Sequence, residues 1–247
     1  MCGRFVVTSP TIELVTLFDV QFVAEDLPKP SWNIAPTQSV ALVVDSVSRE
    51  HSDAEAVRRL EAARWGLVPS WAKDPSIGSK AFNARIETAA EKPMFRSAVA
   101  SHRAIVPANG YFEWRTTDGV KIPEYIFSAD GEPLALAGLY SWWRGRTGSS
   151  PASTEWLLST TILTRASTGE MASVHDRMPV FLERSLIDDW LDPALRGTEG
   201  LLNAAANSAV VVATGLRHHE VDRAVGAIRN NSPQLIEPVA SQEPAAG

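Results

Sequence analysis

The feature that most restricts the fold is a succession of short runs rich in β-branched and aromatic residues, broken by turn-forming dipeptides. Ser39–Val47, Ala62–Val68, Ala104–Arg115, Ile122–Trp143 and Trp156–Thr164 all have this character. Side chains branched at Cβ are stiff in a helix and pack well on a pleated sheet, so these runs predict strands. Asn109-Gly110 interrupts the third run. Asp130-Gly131 divides the fourth, where the sequence predicts a hairpin. Ser39–Val47 and Ala62–Val68 are expected to pair antiparallel, with the polar stretch Ser48–Arg59 between them as a loop or small helix. Arg4–Val7, Met178–Leu182 and Val210–Thr214 add shorter strands.

Helical signals are brief. Ser9 and Pro10 read as an N-cap and first helical position, with Ile12, Val15 and Phe18 at helical spacing and an end near Asp19. A second helix is expected from near Thr88 to His102, and a third over Ser185–Leu191. Strands outnumber helices and rarely alternate with long ones, which predicts a mainly antiparallel α+β domain. The Gly- and Ser-rich stretch Arg144–Thr154 reads as a loop insertion, and Pro238–Gly247 as a disordered tail.

The 247 residues, 45% apolar and 21% charged, are enough for one large core or two small ones. No apolar run approaches the roughly 20 residues that span a bilayer, and the N-terminus lacks the basic-then-apolar order of a secretory signal, so a cytoplasmic protein is expected. One cysteine excludes an internal disulfide and any multi-cysteine zinc site. Five histidines without HExxH spacing offer no metal cluster, so metal-free, cofactor-free chemistry is expected. The net charge of −6 argues mildly against nucleic acid. Its distribution softens that objection, because residues 1–115 hold 13 Lys and Arg against 13 Asp and Glu, leaving the acidic excess to the second half.

Chemically, Cys2 stands out. Once Met1 is removed, the chain would begin with an amine and a thiol on adjacent carbons, a 1,2-aminothiol. Such a pair condenses with an aldehyde to an imine and then closes a five-membered thiazolidine ring. Ordinary values near 7.7–8.0 for the amine and about 8.5 for the thiol give reactive fractions of both near neutrality. An inert, buried cysteine on a first strand is the competing reading.

Several further segments are unlike generic core or surface: Asn83-Ala84-Arg85-Ile86-Glu87-Thr88, Val106–Trp114 and Val174-His175-Asp176-Arg177-Met178-Pro179. With Met1–Phe5, Asn33–Thr37, Arg64–Trp71 and Ala224-Val225-Gly226, and in this order, they resemble the SOS response-associated peptidase (SRAP) family over about residues 2–237. The resemblance implies a single-domain fold with a barrel-like antiparallel core and flanking short helices. It also implies a monomer that captures abasic sites in single-stranded DNA by covalent attachment through Cys2. By the same resemblance Glu113 would deprotonate or hold the Cys2 amine, His175 would shuttle a proton, and Asn83 would orient the sugar or the Cys2 backbone. Arg4, Arg85 and Arg177 would hold phosphates, Thr164 would occupy a small-hydroxyl position, and Trp71 would stack beside the gap. Trp65 and Trp114 are assigned to core packing. Met178 departs from the pattern, standing where a second basic residue often follows Arg177. An N-terminal-nucleophile amidohydrolase, which also begins Met-Cys-Gly, is the alternative and would reveal itself by hydrolysing glutamine.

Overall fold

The computed structural model describes residues 2–47, 56–146 and 154–239. Its strands are β1 (Arg4–Val7), β2 (Phe22–Val23), β3 (Ser31–Ile34), β4 (Ser39–Ser46), β5 (Val57–Trp65), β6 (Asn83–Arg85) and β7 (Arg103–Ala108). Then come β8 (Gly110–Thr117), β9 (Val120–Ser128), β10 (Leu134–Arg146), β11 (Thr154–Ala166), β12 (Arg177–Pro179) and β13 (Leu216–Glu220). Short helices flank them: α1 (Thr11–Phe18), α2 (Ile86–Ala89), α3 (Arg96–Ser101), α4 (Met171–Val174), α5 (Ile187–Leu191) and the longer α6 (Glu199–Ala213).

Five strands close into a barrel. The antiparallel order β5–β4–β7–β10–β11 is completed by a parallel contact of Ser159 and Thr160 in β11 with Arg64 and Trp65 in β5. Closure leaves the ladder no open edge, so buried backbone groups are satisfied without covering helices. Leu42, Leu60, Ile105, Leu139 and Ile162, one from each barrel strand, are fully buried.

The second sheet, in order β13–β9–β8–β1–β3, is apolar on both faces. Phe5 and Tyr111, cross-strand partners in β1 and β8, join the main core, where the Phe5 ring meets Trp65 edge-on at 4.8 Å. Val6, Phe112 and Tyr125 belong to a smaller cluster closed by Val221, Val225 and Leu235. This is the strand's two-residue alternation at work, and it places Glu113 on the same face as Tyr111.

Asn109 marks where the chain leaves the barrel for the second sheet. Its carboxamide oxygen accepts from the Thr8 and Ser9 N–H groups at 2.7 and 3.0 Å, and its nitrogen donates to the Ser9 hydroxyl at 2.9 Å. Ser9 is therefore committed to Asn109, and Pro10, without a side-chain capping bond, opens α1. The left-handed Asp19 (φ 53°) ends that helix where expected.

Several expectations are corrected. The turn at Asp130-Gly131 exists, with the Asp130 carboxylate accepting from the Glu132 N–H, but its flanking strands β9 and β10 enter different sheets instead of pairing. The hairpin is β8–β9, turned by Asp118-Gly119, whose φ angles of 51° and 77° fit a type I′ turn. Strand β5 starts at Val57, inside the expected loop, and Val210–Thr214 falls not in a strand but at the end of α6. There Thr198 caps the helix, and Leu202, Ala205 and Ala209 are buried at helical spacing, so packing overrides the β-branched run. Expected helix 88–102 is two pieces, α2 and α3, separated by a segment containing Pro93. Within the Gly- and Ser-rich insertion, β10 runs on to Arg146 and β11 begins at Thr154; 147–153 lie outside the described residues. At the C-terminus Pro238 bridges to Val221 and the Val239 N–H donates to Glu220, while the rest of the expected tail, 240–247, lies outside the described residues.

Candidate active site

Cys2 immediately precedes β1, so the fold of β1 decides what surrounds it. The antiparallel register Arg4↔Phe112 and Phe5↔Tyr111, continued by one residue, sets Gly3 opposite Glu113. From the barrel side, β6 runs parallel to β11 with Asn83 beside Ile162, and the Asn83 amide donates to the Cys2 carbonyl at 2.6 Å. Helix α4 packs on β8, with the Tyr111 hydroxyl 4.0 Å from the Met171 sulfur, and ends at His175. Three separate elements thus deliver Asn83, Glu113 and His175 to the start of the chain.

The electrostatics are those of a dry pocket. Glu113 is 3% exposed, and burial raises its pKa above the ordinary glutamate value, against the opposing positive charges of the amino terminus and His175. Burial likewise pushes the Cys2 thiol well up, and the Glu113 charge adds to the shift. The thiol, fully buried, contacts the Arg4 carbonyl at 3.8 Å. Asn83 Oδ1 is buried with no hydrogen-bond partner among the described residues, an acceptor available to a donor brought in from outside.

His175 Nδ1 lies 3.0 Å from the Arg177 N–H and 2.8 Å from an Asp176 carboxylate oxygen. One nitrogen cannot serve both at once. The neutral ring accepts from Arg177, and the protonated ring donates to Asp176, so the histidine has a partner in either protonation state.

The arginines separate into two kinds. Arg4 donates to Asn33 Oδ1 at 3.0 Å and to the Val225 and Gly226 carbonyls, fastening β1 to the 223–226 turn. Arg177 grips Glu87 through its two terminal guanidinium nitrogens at 2.8 and 2.9 Å and also bonds the Thr164 carbonyl; this ion pair holds the Glu87 carboxyl below its ordinary pKa. Both are committed within the fold. Arg85 is exposed and forms no ion pair among the described residues. Thr164 is fully buried between the Ala84 carbonyl and Arg177, on the strand that pairs with the Asn83-bearing β6.

Trp71 is 58% exposed, whereas Trp65 is fully buried and donates to the Phe82 carbonyl. The loop bearing Trp71 is set by a close backbone crossing. A side chain at Gly66 (φ +133°) would lie 2.4 Å from the Gly78 carbonyl oxygen, and one at Gly78 2.5 Å from that of Gly66. A groove of about 970 Å³ then runs from Trp71 past Lys73, Lys80 and Lys92 to Asn83. The three lysines were not singled out from the sequence, where no run of basic residues marks them. No cluster of three or more His, Cys, Asp or Glu side chains among the described residues is arranged to hold a metal.

A closed antiparallel barrel whose wall reaches out to hold the residue after Met1 is a distinctive arrangement, and comparison with known proteins assigns it: the chain belongs to the SOS response associated peptidase (SRAP) family, whose model matches residues 1–228. Among its relatives is the "abasic site processing protein" YoqW of Bacillus subtilis, 36% identical over 96% of this chain and 99% of that protein. The Escherichia coli protein YedK, named in the same words, is 31% identical over 97% of this chain and 100% of its own length. A solved structure from Bacteroides thetaiotaomicron shares the fold at a TM-score of 0.76 and 20% identity, covering 97% of this chain and all of that one.

Proposed function

We propose that the protein captures abasic sites in single-stranded DNA through Cys2 after release of Met1, and that peptide chemistry is confined to that release. The observation that carries the reading is the 2.6 Å bond from Asn83 to the Cys2 carbonyl, made beside the buried Glu113. A chain terminus with no chemical task needs neither a side chain to fix it nor a carboxylate buried next to it.

The Cys2 amine adds to the aldehyde of the ring-opened deoxyribose and expels one water to give an imine. The thiol then adds across the C=N bond, sulfur to carbon and proton to nitrogen, closing the thiazolidine. Atoms balance with the loss of one water and no oxidant. Glu113, with its raised proton affinity, takes a proton from the ammonium to free the amine. His175 moves a proton during opening of the sugar ring. The thiol, kept neutral by burial, waits until the imine supplies a carbon for it. Asn83 Oδ1 accepts from a sugar hydroxyl, Arg85 meets a phosphate and Trp71 stacks on a neighbouring base. An abasic nucleotide has no base to unstack, so selectivity comes from the aldehyde. The names of the relatives support abasic-site chemistry along the whole chain.

The test is crosslinking to an oligonucleotide with one abasic site. Cys2→Ala and Cys2→Ser both keep the amine and lose the thiol, so each abolishes the stable linkage and leaves at most an imine that survives only after reduction with borohydride. Full crosslinking by Cys2→Ala overturns the proposal.

A further inference from the structure

Beyond the groove that ends at Asn83, three tryptophans stand out from the surface: Trp71 is 58% exposed, Trp142 39% and Trp156 49%. They line one shallow depression together with Met94. Their arrangement is rigid. Trp142 and Trp156, on the paired strands β10 and β11, meet edge to face at 6.5 Å. Arg144, directly opposite Trp156 in the ladder, lies with its guanidinium 5.6 Å from that ring. Trp143 donates from its indole nitrogen to the Ala72 carbonyl at 2.8 Å, which ties the Trp71 loop to β10.

Trp71 and Met94 also line the groove leading to Asn83, so the two depressions adjoin at these side chains. Along that groove Lys73, Lys80 and Lys92 face a single acid, Asp74, whose carboxylate is occupied by the Ser76 N–H. On the far side of α2 the surface carries Glu87, Glu91 and Glu199 against Arg165. Of these two surfaces, the one that holds Asn83 carries the lysines and an exposed indole, and the other's charged residues are mostly acids.

We infer that this face is the landing for one arm of the single DNA strand, the arm that runs from the captured nucleotide past the lysines and stacks its bases on Trp71, Trp142 and Trp156. The inference rests on the capture reading above. A strand that carries both phosphates and flat bases matches a groove lined by lysines that adjoins a patch of indoles, whereas an apolar peptide would match the indoles and leave the lysines unmet. Stacking asks for no base identity, which suits a protein that must accept any sequence around a lesion.

The test uses oligothymidylates carrying a tetrahydrofuran abasic analogue, which has no aldehyde and so binds reversibly, with either the 5′ or the 3′ arm lengthened from two to ten nucleotides. Fluorescence anisotropy is expected to show wild-type affinity rising about tenfold or more when one arm is lengthened and not when the other is. Trp142→Ala/Trp156→Ala loses that gain, and Trp142→Phe/Trp156→Phe keeps most of it. Equal gains on both arms, or a gain that survives the double alanine change, overturns the inference. Crosslinking of the wild type to a short oligonucleotide with a true abasic site is measured in parallel. Its failure strikes the capture reading alone, since the length dependence is read without an aldehyde.

Discussion

Glu113 is a carboxylate kept where its charge is poorly solvated, and that gives it two measurable consequences. Its folded pKa lies above the unfolded one, so its contribution to stability is fully present below the unfolded value and lost as pH rises through the folded value. As pH rises from about 4 into the alkaline range the wild type should therefore lose stability relative to Glu113→Gln, while the variant's crosslinking is slower. Thermal unfolding across that range checks the first half, and parallel profiles would contradict it. Asn83→Ala removes the donor to the Cys2 carbonyl and is expected to slow capture at least about fivefold, as for loss of one buried hydrogen bond. Asn83→Asp has the same shape and no donor, so single-turnover rates should be no better than for alanine. Part of the geometry was legible: Cys2 stands just before a strand in the sequence, and strand alternation puts Glu113 on the face of Tyr111. The partners of Arg4 and Arg177 within the fold were not, because Val225 and Glu87 lie far away in the chain and only the fold brings them together.

At the scale of elements, the joint at Asn109 carries the site, since it ties the segment after β1 to the place where β7 gives way to β8. Asn109→Ala leaves the Thr8 and Ser9 N–H groups without their acceptor and should cost about 2–4 kcal/mol, read as a lower urea midpoint. A midpoint unchanged from wild type would show that the joint is held by other contacts. Asn109-Gly110 was visible as an interruption in a strand, yet nothing local reveals that the two halves enter different sheets. The same blindness produced the false hairpin at Asp130-Gly131. A turn dipeptide specifies a reversal of the chain, whereas pairing depends on which partners the barrel has already taken. The misread helix end at Val210–Thr214 has the converse cause: three consecutive valines favour a strand locally, and burial of Leu202, Ala205 and Ala209 outweighs them.

On the whole molecule, charge and function are reconciled by segregation. A net charge of −6 coexists with a groove in which Lys73, Lys80 and Lys92 face one occupied acid. If those three lysines neutralise three phosphates, log affinity for single-stranded DNA should fall against log salt concentration with a slope of about −2. A slope near zero would remove the groove from the account. The closed barrel supports the arrangement, and in this reading it holds the beginning of the chain against Asn83 and Glu113. That claim is tested most directly by the intact mass of the purified protein before and after incubation with a single-stranded oligonucleotide carrying one abasic site. The account predicts a protein lacking Met1, followed by a new species at the summed mass less one water. A protein lacking Met1 that leaves the oligonucleotide and its own mass unchanged would contradict it, and would turn attention to amide hydrolysis, beginning with glutamine.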